Sequence, residues 1–183
     1  MAVLACTPPL LAAAQPAPPG ATARKAELDR LFAALAAAPD EIAAAALEAR
    51  IRGLWMQQAS PAVTLLMHRG QRNLETEANE DAVEDFDAAL ILQPDYADAW
   101  LLRAIGLNAL GDTVGAVKDV QQALVLEPRR FDALALLSRL REQEGDLRGA
   151  LLSWEAALKI HPKMDNGEER QRELRRRVEG QPT

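Results

Sequence analysis

The stretch AALILQPDYADAW, residues 88–100, decides the fold, because parts of it return twice further along the chain. The later copies are QALVLEPRRFDAL, residues 122–134, and AALKIHP, residues 156–162. Each copy is an apolar, helix-favouring run that ends at a proline such as Pro94, where continuing a helix is costly. The prolines are 34 residues apart, so the sequence predicts three tandem copies of one structural unit.

Small and bulky residues recur in the same register as the prolines. Small side chains are expected where two helices cross closely, and bulky ones fill the remaining space. The columns with this spacing are Gly70, Ala104 and Ser138; Ala82, Ala116 and Ala150; Phe86, Val120 and Trp154; Ala89, Ala123 and Ala157; and Leu90, Leu124 and Leu158.

The turn inside each copy also has a recognisable sequence. Gly111 and Gly145 are predicted to end a helix in the left-handed conformation. The next residues, Asp112 and Asp146, are predicted to cap the following helix. The first copy has Glu77 at the glycine position, so its turn is less well specified.

This pattern resembles the tetratricopeptide repeat (TPR) family over the residues from Val63 to Met164. The resemblance implies an all-α superhelix, or α-solenoid, of three helix-turn-helix repeats. It further implies a concave face lined by the first helix of each repeat, where such proteins bind peptides or other proteins and rarely catalyse reactions. The repeat region is assigned to residues 61–164, with copies at 63–96, 97–130 and 131–164.

Helical segments are predicted on both sides of the repeats. Leu28, Leu31, Phe32 and Leu35 form one helical stripe, and residues 23–60 are predicted to be a helical hairpin that caps the array before its first repeat. Residues 165–183 are predicted to be a C-terminal capping helix and tail.

The first 22 residues allow more than one cellular location for the protein. The apolar run ending at Ala12-Ala13-Ala14 is typical of a secretory signal, although it lacks a basic region in front. A disordered Ala/Pro-rich tail and a lipoprotein signal at Cys6 are the alternatives. The expected location is periplasmic or secreted, with a cytoplasmic location as the alternative.

Composition argues against several functional classes. The chain has 27 acidic and 21 basic residues, and this acidic balance is unlike that of a general nucleic-acid binder. No apolar run is long enough for a transmembrane helix. One cysteine and two histidines in different repeats, His68 and His161, suggest no metal site or cofactor, and no catalytic motif is recognisable, so an enzyme is not expected.

Carrying the family's concave positions onto this chain predicts a mixed groove with an apolar patch. Its only cation is Arg139, so a clamp for a chaperone's terminal carboxylate is not expected. The predicted partner-binding residues are Thr64, Met67, Gln71, Leu74, Glu75, Asp98, Leu101, Ile105, Asn108, Arg139 and Glu142.

The net charge of −6 is concentrated in the first repeat. Its acidic residues are interpreted either as a docking patch for a basic partner or as an ordinary solvated face. The residues of this acidic patch are Glu77, Glu80, Asp81, Glu84 and Asp85.

The function that the sequence favours is a non-catalytic scaffold that binds an unidentified protein or peptide in the concave groove, in the bacterial cell envelope if the leader is a signal. The alternative is a structural array that associates with itself through surfaces around Phe131 or Trp154. The sequence leaves both open.

Overall fold

The computed structural model describes residues 19–180, and within that range the chain forms nine α-helices and no strand. The all-α prediction is confirmed. The helices are α1 (Pro19–Ala36), α2 (Glu41–Met56), α3 (Pro61–Glu75), α4 (Asn79–Leu92), α5 (Ala97–Ala109), α6 (Thr113–Leu126), α7 (Phe131–Gln143), α8 (Leu147–Ile160) and α9 (Gly167–Glu179).

The repeats are the helix pairs α3–α4, α5–α6 and α7–α8, and each second helix also packs on the first helix of the next pair. The columns of small residues are buried at the helix crossings, as the sequence predicts. At Gly70, a Cβ atom would come within 2.5 Å of the fully buried Phe86 ring. The first repeat therefore tolerates no side chain at its crossing.

The turns inside the repeats have the predicted backbone conformation. Gly111 and Gly145 have φ values of +86° and +82°, and the carboxylates of Asp112 and Asp146 each accept a hydrogen bond of 2.8 Å from a backbone N–H of the next helix. In the first repeat Glu77 adopts a φ of +60° although it has a Cβ. That turn is the strained one, since left-handed backbone is unfavourable for such a residue.

The N-terminal hairpin, formed by α1 and α2, does not cover the first repeat, and the prediction of a cap at that end is wrong. Its apolar stripe packs instead on the third repeat, against Phe131 and Ala157, with Ile160 and Met164 at the margin. An apolar helical stripe of this kind has to be covered by another apolar surface. The chain therefore folds back along the array.

The hairpin follows the edge of the array where one repeat joins the next. The Gln93 side chain, between the first and second repeats, donates to the Gln58 carbonyl (2.9 Å) and accepts from the Ser60 N–H (3.1 Å). Arg129, between the second and third repeats, pairs with Asp29 of α1 at 2.6 Å. The hairpin is thus tied to both junctions.

Helix α9 packs on the outer side of the last repeat. Leu174 is fully buried against Ala150 and Trp154, and the Trp154 Nε1 donates to the Gly167 carbonyl at 2.9 Å. Arg170 and Arg177 both pair with Glu142 of α7. Leu174 thus covers the end of the apolar core, and the two arginines pair with Glu142 at the surface.

Most of the leader, including Cys6, lies outside the described residues. Helix α1 begins at Pro19, earlier than residue 23, where the hairpin was predicted to start. Between residues 19 and 180, none of the helices combines the length and apolar character needed to cross a membrane.

The strained turn of the first repeat gives a test of the repeat register. Glu77→Gly should raise the free energy of unfolding by about 1 kcal/mol, because glycine adopts the left-handed conformation without a Cβ clash. Urea denaturation measures the change. Glu77→Gln, which removes the charge but keeps the Cβ, should lack this gain, and an equal gain from both variants would show that charge rather than strain is relieved.

Candidate functional site

The first helices of the three repeats and helix α2 enclose a cavity of about 300 Å³ on the concave side of the array. Seven predicted partner-binding residues lie in its lining: Thr64, Met67, Gln71, Asp98, Leu101, Ile105 and Arg139. Its floor is largely apolar, and Ile105 keeps 38% of its surface exposed. Such a concave, mainly apolar surface with a few polar groups is typical of binding sites.

Four other predicted residues do not line the cavity. Leu74, Glu75, Asn108 and Glu142 lie near the C-terminal ends of their helices, whereas the cavity lies toward the N-terminal ends, where α2 runs. Leu74 packs in the core of the first repeat, and Glu142 is paired with arginines of α9. Because helix α2 bounds the cavity at the other end of these helices, the four residues lie outside it, and a binding role for them stays a prediction.

Several lining residues were not predicted. Helix α2 and the residues after it contribute Arg52, Met56 and Ala59, for which the repeat pattern contains no signal. A second column, one residue beyond the predicted one, also faces the cavity. Its members are His68, Leu102 and Leu136.

Arg130 connects this cavity to the hairpin. Arg130 is only 2% exposed, yet its Nη2 donates to Asp98 (2.6 Å) and to Asp132 (2.9 Å), and its guanidinium stacks on the Trp55 ring at 4.2 Å. Burial acts to lower the pKa of Arg130, but the hydrogen bonds and charges of the two carboxylates outweigh it and raise the pKa. Arg130 therefore stays charged.

The neighbouring Tyr96 hydroxyl lies in the same electrostatic environment. Burial, followed by the Asp98 charge, raises the pKa of Tyr96 above its ordinary value. The phenol is therefore neutral at the wall of the cavity over the physiological pH range. Tyr96 contributes a ring and a hydroxyl to this wall but no charge.

Two further arginines form charged pairs inside their repeats. Arg69 and Arg103 pair with Asp85 and Asp119 of the second helix in their own repeats. The hydrogen bond from Arg103 to Asp119 is the largest cause that raises the pKa of Arg103. The third repeat has the buried Leu137 and Ser153 at these positions.

The predicted acidic patch is smaller than expected. Asp85 is 3% exposed, paired with Arg69 and hydrogen-bonded by Asn73 (3.0 Å), so it cannot dock a partner and its inclusion was wrong. Glu77, Glu80, Asp81 and Glu84 are exposed. A docking role for these four stays a prediction.

The surfaces proposed for self-association are also not available. Phe131 and Trp154 are 2% and 9% exposed and belong to the intramolecular core. Their interpretation as surface residues was wrong, because the hairpin covers Phe131 and α9 covers Trp154.

The described part of the chain contains no group of three His, Cys, Asp or Glu side chains placed to hold a metal ion. The two histidines lie in different environments. His68 lines the cavity, and His161 is buried at the contact between the hairpin and the third repeat. There its Nε2 donates to Glu48 Oε2 at 3.0 Å, and its ring meets Phe131 edge-on at 5.0 Å.

Comparisons with known proteins agree with the repeat fold. No family model matches the sequence. A TPR repeat-containing protein of Rhizobium etli is 35% identical over 80 residues, which is 44% of this chain and 39% of that protein. The matched part of the chain thus spans well under half of the relative's length.

Solved structures give the same result over a longer stretch. The first TPR of Spaghetti (RPAP3) bound to HSP90 peptide SRMEEVD has a TM-score of 0.63 at 16% identity, covering 66% of this chain and 96% of that one. The Sgt2 TPR domain from Aspergillus fumigatus has a TM-score of 0.62 at 20% identity, covering 68% and 87%. At these identities the similarity establishes the fold.

The Yersinia enterocolitica type III secretion chaperone SycD, in complex with a peptide of the translocator YopD, is also similar. Its TM-score is 0.57 at 16% identity, with 66% of this chain and 92% of that chain covered. The internal repeat, its helix-turn-helix structure and these similarities show that the chain has the tetratricopeptide repeat fold, an α-solenoid of helix pairs.

The Glu48–His161 contact predicts how the hairpin responds to acid. The hydrogen bond from His161 is the largest influence on the pKa of Glu48; burial opposes it, Arg52 adds to it, and the pKa lies below its ordinary value of 4.5. A carboxylate with a lowered folded pKa stabilises the fold above its unfolded pKa, and this contribution is lost as the pH falls through the folded value.

Glu48→Gln should therefore lower stability at neutral pH and lose less of it between about pH 6 and about pH 3 than the unsubstituted chain does. Urea midpoints across this range measure the effect. Glu84→Gln removes an exposed, remote carboxylate and serves as the control. If Glu48→Gln and Glu84→Gln show the same pH dependence, Glu48 does not hold the hairpin.

Proposed function

We propose that this protein is a non-catalytic interaction scaffold that binds a segment of a partner protein in the concave groove. The observation that carries the proposal is the cavity of about 300 Å³ between the first helices of all three repeats. Its apolar floor keeps exposed surface at Ile105 in the absence of a partner. A partner side chain placed there would remove this surface from water, which is favourable.

The similar structures add support from outside the chain. The RPAP3 domain is described as bound to an HSP90 peptide, and SycD as in complex with a YopD peptide. Both share this chain's fold over about two thirds of its length. Recognition of a peptide by the helical array is therefore the activity that the fold best supports here.

Selection of peptides from a random phage-displayed library tests the proposal. Peptides enriched on the full chain are synthesised with a fluorescent label, and their dissociation constants are measured by anisotropy. Ile105→Glu should weaken binding by about tenfold or more, because a buried carboxylate without a partner is costly in an apolar site.

Ile91→Glu is the matched control, since Ile91 is 82% exposed on α4 and does not line the cavity. Circular dichroism verifies that both variants are folded. An absence of enriched peptides, or equal binding by the Ile105→Glu and Ile91→Glu variants, would contradict a peptide site in the groove.

We also propose that the protein acts outside the cytoplasm, in the periplasm or as a secreted protein. The support is the apolar run that ends at Ala12-Ala13-Ala14, which is typical of a secretory signal. N-terminal sequencing of a C-terminally tagged copy, recovered after cell fractionation, is expected to find a chain that begins at Gln15. A tagged copy recovered from the cytoplasm with its first residues intact favours the cytoplasmic alternative.

A further inference from the structure

The cavity has two different sides, and only one of them belongs to the repeats. Met67, Leu101 and Ile105 from α3 and α5 form part of its floor. The opposite side is helix α2, which contributes Arg52 and Met56, and Met56 is 51% exposed although it faces an apolar floor. Any segment that fills the cavity therefore touches the hairpin as well as the repeats.

The position of this wall is fixed by contacts outside the cavity. Trp55 lies between the rings of Phe32 and Phe131, with centroid distances of 6.1 Å and 5.8 Å. Two turns earlier on α2, Glu48 accepts a hydrogen bond from the buried His161. Neither Phe32, Glu48 nor His161 lines the cavity, so the shape of the site depends on residues that a partner would not contact.

The charges around the cavity are unequal once the internal pairs are counted. Asp98 and Asp132 are both paired with Arg130, and Arg52 lies 3.6 Å from Asp132. Arg139 is exposed and makes no ion pair with any residue between 19 and 180. The charge available to a ligand is thus the positive charge of Arg139, which lies beside the apolar floor of the cavity.

From this geometry we infer that the N-terminal hairpin is one wall of the partner site, and that the site takes a protein segment with one bulky apolar side chain next to an acidic residue. The inference rests on the proposed function and specifies its partner. Such a segment places its apolar side chain between Met56 and Ile105 and its carboxylate near Arg139. Partner binding and docking of the hairpin on the third repeat are then thermodynamically linked, because each stabilises the other.

The probes for the test are the fluorescent peptides recovered by selection on the full chain. Their shared sequence should contain a bulky apolar residue beside Asp or Glu. Met56→Glu should weaken their binding by about tenfold or more, as expected for a central contact. Ile42→Glu is the matched control, because Ile42 lies on the same helix, is 85% exposed and does not line the cavity.

The charge and the linkage are measured separately. Arg139→Glu should weaken binding of the acidic peptides, and replacing the peptide's acidic residue with lysine should restore it. Saturating peptide should slow amide hydrogen exchange in α2, since binding favours the docked hairpin. Unchanged exchange in α2, or selected peptides that carry lysine or arginine instead of an acidic residue, would overturn the inference.

The outcomes also separate this inference from the proposed function. If Ile105→Glu abolishes binding while Met56→Glu binds as tightly as the unsubstituted chain, the groove binds peptides without the hairpin and the inference is wrong. If both variants bind normally, the concave site itself is wrong.

Discussion

The buried guanidinium of Arg130 is the interaction on which the rest of the architecture depends. It joins Asp98 of α5, Asp132 of α7 and the Trp55 ring of α2, and it is almost completely removed from solvent. Removing one partner of a buried ion pair is destabilising by roughly 3 to 5 kcal/mol, because an uncompensated charge remains. Two repeats and the hairpin therefore have to meet in one arrangement to satisfy this charge.

The same kind of constraint aligns the helices within the array. Arg103 bonds to Asp119 in its own repeat and to Asp87 in the preceding one, and its guanidinium stacks on Trp100 at 4.7 Å. In the third repeat the pair is replaced by Leu137 and Ser153, both buried. Planar guanidinium groups with several fixed donors bind carboxylates in defined orientations, so these pairs specify how successive helices sit against each other.

The hairpin changes the character of the concave face. An open solenoid groove extends along all of its first helices, whereas here α2 lies across their N-terminal ends and bounds a cavity of about 300 Å³. The residues near the C-terminal ends of the same helices are left for other contacts, as Glu142 shows by its pairing with α9. A single packing contact thus decides which predicted groove residues remain available to a partner.

The repeat architecture can be predicted from the sequence alone, because its causes are local and periodic. The left-handed glycines, the capping aspartates and the small residues at helix crossings act within one repeat, so a 34-residue spacing displays them directly. Seven of the predicted groove residues line the cavity for the same reason, since they follow from the position of each helix in its repeat.

The docking position of the hairpin, and with it the shape of the site, follows from packing in three dimensions. The stripe containing Leu28 and Phe32 shows that an apolar face must be covered, but not which of several apolar surfaces covers it. The contacts that settle the choice, such as Glu48 with His161 and Asp29 with Arg129, join residues about a hundred positions apart. No sequence period links them, so the wall of the cavity and the burial of Phe131 emerge only when the chain is packed in three dimensions.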